Sequence, residues 1–282
     1  TGEMGGKKAD CSATVEYVVP PDAWYFAQNG HPVMPWAVLL EAALQPCGWL
    51  ASWTGSAVGP DDFLFRNLDG TATIHREVRP DSGTLTTVAK LTRVSKSAGM
   101  ILVTFVVTVD SSEGRVVDMN TVFGFFPPEA FVNQVGVGST EVERLRLSAP
   151  AEVVDMRPPQ GAAIATDRLL VVDRVYRIDA DTYRGEKDVS PKDWFFAAHF
   201  YQDPVQPGSL GIEALLQLLQ VAMQDRGLAK RFAKPRFEPT ANGEAQTWKY
   251  RGQVVPENKL IQSELRMLEV REEAEGTLVI AE

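Results

Sequence analysis

Two stretches of this chain, 172 positions apart, carry the same residues in the same order (204 − 32, 213 − 41 and 217 − 45 agree). Pro32, Val33, Pro35, Glu41, Ala42, Leu44 and Gln45 match Pro204, Val205, Pro207, Glu213, Ala214, Leu216 and Gln217 without a gap. A period this long, met once, is not that of a solenoid, whose units recur every ~20–50 residues. It predicts a duplicated domain. In both copies the matched residues run into a helix that is apolar nearly all the way round, from about Trp36 to Trp53 and from Leu210 to about Met223. Such a helix is normally buried, so the rest of the chain must wrap two of them.

Three polar side chains interrupt the second helix, Glu213, Gln217 and Gln220, at i, i+4 and i+7 and therefore on one face. A buried carboxylate is costly unless it is paired or neutral, and the nearest titratable side chain in the sequence is His199. One reading is structural: Glu213 and Gln217 hydrogen-bond a neighbouring loop, and His199 is a satisfied core histidine. The other is catalytic. Pro207-Gly208 places backbone N–H groups at the positive end of the helix dipole, where a developing oxyanion would be stabilised. Acid, base and oxyanion donors within one short segment favour catalysis.

The stretch from Asp193 to Gln217 has an aromatic pair, His199-Phe200, a loop ending Pro207-Gly208, then Glu213 and Gln217 one turn apart. It resembles the active-site segment of the hot-dog-fold 3-hydroxyacyl-(acyl carrier protein) dehydratases, with wording like that of the dehydratase domains of polyunsaturated fatty acid synthases and of polyketide-synthase-like enzymes. Leu169 to Val175 resembles the segment preceding the motif in that family. The match is specific over roughly residues 168–223 and weaker elsewhere.

Taken in order, residues 1–12 read as a frayed leader and Thr14 to Val19 as a short strand. After the first helix come β-branched runs at about Thr73–Val78, Thr84–Ser95, Met100–Asp110 and Arg115–Phe126, with turns at Ser97-Ala98-Gly99 and Ser111–Gly114. A buried helix followed by a long antiparallel meander outlines a hot-dog module. His75, in the first of these strands, reads as structural or exposed. The expected fold is α+β, a double hot dog of two modules in one chain, each a long central helix wrapped by an antiparallel sheet. Residues 1–127 form the first module, 128–163 an inter-module linker draped over the surface, and 164–282 the second module. The linker contains Gly136-Val137-Gly138-Ser139, a candidate helix over Thr140–Leu147, and Pro158-Pro159-Gln160-Gly161. The second module has strands over Arg177–Lys187, Thr247–Val255, Lys259–Val270 and Thr277–Glu282. Aligned by Val78-Arg79-Pro80 on Val254-Val255-Pro256, its meander lacks counterparts of Val106–Phe126, and the first module lacks one for Leu169–Val175. The expectation is therefore an excerpt of a larger multidomain protein, truncated in its second module.

The copies are unequal. At the common offset His199 falls opposite Ala27 (199 − 172), so the first copy lacks the aligned histidine, and His31 stands opposite Asp203. Trp36 replaces Gly208 and would crowd a ligand. Pro46 should kink or shorten the first helix. The resemblance implies that each site takes its histidine from one module and its carboxylate from the other, which pairs His199 as base with Glu41 as acid. It leaves Glu213 facing the defective side near His31. The Gly208 amide would polarise the thioester carbonyl, Gln217 and Gln45 would orient the carboxylates, and Phe196, Phe200, Pro207, Gln45 and His31 are candidates to line an apolar substrate tunnel. Relatives that also isomerise the double bond tend to carry Asp as the acid; Glu in both copies favours dehydration alone.

Function follows as dehydration of 3-hydroxyacyl thioesters to trans-2-enoyl thioesters by a hydro-lyase. No cofactor is needed beyond the phosphopantetheine arm of an acyl carrier protein. A hot-dog thioesterase and a non-catalytic acyl- or carrier-binding module remain as alternatives. Composition supplies the exclusions. A net charge of −9 disfavours nucleic acid and anionic membranes as partners. Two cysteines and three histidines give neither a disulfide framework nor a metal site. No signal-like leader or membrane-length apolar run is evident, so the location expected is cytoplasmic. Arg226, Lys230, Arg231, Lys234 and Arg236 read either as a solvated helix end or as a docking patch for the acidic carrier. The other partners expected are neighbouring domains of a parent multienzyme. The pseudo-dimer within one chain leaves homodimerisation open through an exposed sheet edge.

Overall fold

Both apolar helices form where the repeat places them, each 18 residues long and at the same offset at either end (208 − 36 and 225 − 53 both give 172). The computed structural model describes residues 10–57, 63–97, 99–131, 139–158 and 161–282. The turn at Ala98, the glycine-rich run at 136–138, and Pro159-Gln160 lie outside the described residues, as do the first nine residues of the leader. In chain order the first elements are β1 (Cys11–Val18), α1 (Trp24–Gln28), α2 (Trp36–Trp53), β2 (Leu64–Ile74), β3 (Thr84–Ser97), β4 (Met100–Ser111) and β5 (Gly114–Phe126). They are followed by α3 (Glu141–Ser148), β6 (Glu152–Val153), β7 (Arg174–Arg177), β8 (Thr182–Asp188), α4 (Gly208–Asp225), β9 (Ala245–Lys249), β10 (Leu260–Glu272) and β11 (Thr277–Ala281). Cys11 and Ser12, read from sequence as leader, already belong to β1.

The chain divides into two units, the first drawn from Thr1–Ala23, Trp36–Val137 and Asn242–Gln253, the second from Trp24–Pro35, Gly138–Ala241 and Val254–Glu282. In the first unit an antiparallel sheet runs β1-β3-β4-β5-β2-β9. Along β4 the buried residues Ile101, Val103, Phe105, Val107 and Val109 alternate with less buried ones, the period of a strand with one face inward. With Leu85, Ala89 and Leu91 of β3 they form the core with Leu40, Ala43, Cys47 and Leu50 of α2, which packs on β3, β1 and β4. Pro46 does not shorten α2. Losing one helical donor costs about 3 kcal/mol, but Leu50 beyond it is 1% exposed and Cys47 and Ala51 are fully buried. Burial of aliphatic side chains at about 1.5–3 kcal/mol each offsets the loss.

β9 follows α4 in sequence yet extends the first unit's sheet, with Trp248 opposite Gly70 and Lys249 opposite Asp69 on β2. A Cβ at Gly70 would collide with the Trp248 indole, so glycine is needed for that close approach. Trp248 Nε1 donates to Asn67 Oδ1 at 2.9 Å, and Asn67 Nδ2 donates to Thr121 Oγ1 at 2.7 Å, beside the β-bulge at Asn67/Asp69.

The second unit carries the sheet β11-β10-β8-β7-β6, and α4 packs on β8, β10 and β7. β10 begins 176 positions after β3 (260 − 84), the offset at which the second meander aligns with the first. The expected helix within 128–163 is α3, with a Thr140–Glu143 capping box. It is tied to its unit by the Arg146–Glu264 ion pair at 2.6 Å and by Arg184, which donates to the Leu147 and Ala149 carbonyls. Three members of the basic cluster are engaged within the same unit: Arg226 with Asp181, Arg231 with Glu272 and the Gly276 carbonyl, and Arg236 with Glu238. Among the described residues no helix is long and apolar enough to cross a membrane.

Gly70→Ala is expected to destabilise the protein by about 1–3 kcal/mol, because the Trp248 indole must leave its site and loosen the Asn67 bond. Denaturant unfolding of the purified variant checks this; wild-type stability would show that the indole moves aside freely.

Candidate active site

His199 is placed by its own loop. Trp194 to Ala197 form a single 3₁₀ turn in which Phe195 and Phe196 are buried, and the Trp194 indole N–H donates to the Arg168 carbonyl at 3.1 Å. The His199 backbone N–H donates to the Phe195 carbonyl at 2.9 Å, and the loop closes where Val205 N–H donates to the His199 carbonyl at 2.8 Å. The His199 Nδ1 lies 2.9 Å from the Val205 carbonyl oxygen. A carbonyl only accepts, so Nδ1 carries a proton, and whenever the ring is neutral its lone pair is on Nε2, the tautomer a general base needs. Phe200 lies against the His199 ring at 3.6 Å between centroids and is itself half-exposed.

Pro207 ends this loop and is the N-cap residue of α4. Gly208 is the first residue of the helix, where backbone N–H groups have no acceptor within the helix. A turn further, Glu213 is 5% exposed and Gln217 is fully buried. The Gln217 amide donates to Glu213 Oε1 at 3.0 Å and to the Leu169 carbonyl at 2.8 Å, and its oxygen accepts from Val171 N–H at 2.9 Å. Gln217 therefore clamps the 169–171 segment to α4 while orienting the carboxyl of Glu213. The structural reading of Glu213 and Gln217 as partners of a neighbouring loop thus holds for Gln217 in full.

In the first copy, Glu41 is half-buried on α2 and Gln45 is exposed, unlike its buried match Gln217. His31 sits in a turn where Val33 N–H donates to its carbonyl at 2.7 Å. The gapless alignment of His199 with Ala27 needs correction. Trp24-Tyr25-Phe26-Ala27 and Trp194-Phe195-Phe196-Ala197 are the structural counterparts, at an offset of 170 (194 − 24), and their paired rings are tilted alike: Tyr25–Phe26 at 4.6 Å and 54°, Phe195–Phe196 at 4.7 Å and 59°. Asn29 N–H donates to Tyr25 at 3.0 Å as His199 N–H does to Phe195. Asn29 Nδ2 then donates to the Val33 carbonyl at 3.0 Å, the contact His199 Nδ1 makes with Val205. Asn29 is the residue in the place of His199. The signal was the repeated Trp-aromatic-Phe-Ala wording, which requires two extra residues in the second copy.

The other histidine, His75, is exposed and paired with Asp118 at 2.8 Å. Among the described residues no three His, Cys, Asp or Glu side chains gather to hold a metal ion.

Two antiparallel sheets, each with a long apolar helix, make this a double hot-dog protein of the α+β class. Residues 3–118 and 164–282 both match the model of the FabA-like domain, and the chain belongs to that family. Over 90% of its own length it is 33% identical to one component of the polyunsaturated fatty acid synthase of Thraustochytrium sp. (strain ATCC 26185 / S-3), and it spans 19% of that much longer protein. Among solved structures it is similar to a trans-AT polyketide synthase dehydratase domain from Brevibacillus brevis, with a TM-score of 0.53 at 10% identity, covering 92% of this chain and 82% of that one. It is also similar to the dehydratase domain from the CurK module of curacin polyketide synthase, with a TM-score of 0.50 at 11% identity, covering 97% of this chain and 90% of that one. These two likenesses concern the fold.

Gln217→Leu should destabilise the chain by about 2–6 kcal/mol, since it takes their buried partner from the Leu169 carbonyl and the Val171 N–H, each costing about 1–3 kcal/mol. A calorimetric or denaturant measurement decides it; a loss below about 1 kcal/mol would mean that water or a neighbour replaces the amide.

Proposed function

We propose that this chain dehydrates 3-hydroxyacyl thioesters carried on the phosphopantetheine arm of an acyl carrier protein, giving trans-2-enoyl thioesters, as one part of a fatty acid or polyunsaturated fatty acid synthase in the cytoplasm. The observation that carries the reading is the His199 ring, held through Nδ1 on the Val205 carbonyl so that Nε2 is the nitrogen left for proton transfer, in a loop leading directly into the first turn of α4. Membership of the FabA-like family and the likeness to part of a polyunsaturated fatty acid synthase support it.

In this reading His199 Nε2 takes a proton from C2. The freed electron pair forms the C2–C3 double bond while the C3–O bond breaks, and Glu41 protonates the departing hydroxyl so that it leaves as water. Charge that builds on the thioester oxygen is met by the Gly208 N–H, a type of donor worth about 3–4 kcal/mol of barrier when well placed. The cycle closes when the proton on His199 returns to Glu41 by way of water. Phe196, Phe200 and Pro207 line the acyl thioester near the base.

Glu41 is assigned as the acid through the family pattern in which base and acid come from different copies. Two observations agree with it. Glu213 is already engaged by the Gln217 amide, and the copy that would supply a base to Glu213 has Asn29 instead, whose amide has no basic lone pair. With Glu at the acid position, the reaction stops at dehydration.

His199→Ala should lower turnover of a 3-hydroxyacyl-pantetheine surrogate, followed by enoyl absorbance, by about two to four orders of magnitude. Glu41→Gln should do the same with the fold intact, while Glu213→Gln should mainly reduce stability. Loss of activity in Glu213→Gln with Glu41→Gln tolerated would move the acid to the base's own copy, and release of free acid in place of enoyl thioester would identify a thioesterase.

A further inference from the structure

Tyr250 directly follows β9 in the first unit and takes no part in the proton transfers of the proposed reaction. Its backbone N–H donates to the Leu68 carbonyl at 2.7 Å, and its neighbours are held on both sides, Trp248 by Asn67 and Arg251 by the Leu68 carbonyl at 3.0 Å. Residues i and i+2 of an extended chain share a face, so Tyr250 lies on the side of Trp248. The Trp248 ring packs edge-on against Trp36, the first residue of α2, at 6.5 Å and 71°. The phenol is thus turned toward the helix that carries Glu41. Its oxygen is buried and has no hydrogen-bond partner among the described residues, an arrangement that carries a desolvation penalty unless the group is used. Burial, reinforced by the nearby Glu41 carboxylate, pushes the phenol well above its ordinary pKa, so that the O–H remains a donor at neutral pH.

We propose that Tyr250 is a positioning residue for Glu41: its phenol O–H donates to the carboxylate left when Glu41 has given its proton to the departing hydroxyl, and holds that group ready for reprotonation. The inference rests on Glu41 being the acid. A neutral carboxyl gains little from the phenol, whereas a carboxylate accepts a charge-assisted bond about twice as strong as a neutral one. The interaction therefore grows along the reaction coordinate and belongs to the chemical step rather than to substrate binding.

Tyr250→Phe removes one oxygen and nothing else. With the pantetheine surrogate, kcat should fall about 10- to 100-fold, the worth of one bond to a charged group. KM should be unchanged and the melting temperature equal to or above that of the wild type, since the lost hydroxyl has no partner among the described residues. In a Glu41→Gln background the same substitution should cause no further loss. Wild-type kcat in Tyr250→Phe, an effect on KM alone, a clear fall in melting temperature, or a full additional loss on top of Glu41→Gln would each overturn the role of Tyr250 while the dehydratase reading stands. A wild-type protein that turns over no 3-hydroxyacyl thioester would overturn that reading, and the role of Tyr250 with it.

Discussion

A helix of 18 residues that is apolar on most of its sides must bury most of its surface, and each unit is arranged around that constraint. α2 is covered by β1, β3 and β4, and α4 by β7, β8 and β10. Under such cover a polar side chain on the helix must be satisfied locally. Gln217 meets the demand with three hydrogen bonds, and in doing so it decides where the 169–171 segment lies against α4. One buried amide thereby couples the helix, the strand-side segment and the carboxyl of Glu213. Its match in the first helix, Gln45, is exposed and under no such demand.

Much of the fold was legible because its signals are local. The two helices, the strands β3, β4, β5, β10 and β11, and α3 with its capping box follow from apolar periodicity, β-branched runs and turn residues. What escaped depends on tertiary placement. β9 joins a sheet whose other strands lie more than a hundred residues upstream, and no local pattern announces that pairing. The helix through Pro46 persists because the residues beyond it are buried, a contribution that local propensity does not contain.

At the candidate site the Gly208 helix start and the Gln217 contact both fall within the motif from Asp193 to Gln217. The tautomer of His199 was not readable, since it follows from a carbonyl six residues on. Nor was Asn29, because an alignment without gaps carried the helix offset back into a loop of different length. Tyr250 was invisible for a related reason: by sequence it belongs to the second copy, while its strand completes the sheet of the first unit.

The two loops explain how one copy keeps its shape without the histidine. Asn29 and His199 each use a side-chain nitrogen to hold the carbonyl of the valine that precedes the helix, over four residues in one copy and six in the other. For loop closure the two side chains are equivalent, because all that is required is a donor of the right reach. For proton transfer they are not. The imidazole has a second nitrogen with a lone pair left over, and the carboxamide has only a weakly basic oxygen. The longer loop places Gln202 in the left-handed region at φ 61°. The first copy therefore departs from the second twice, in the residue and in the two residues missing after it. The helix entry it supports is unaffected by either.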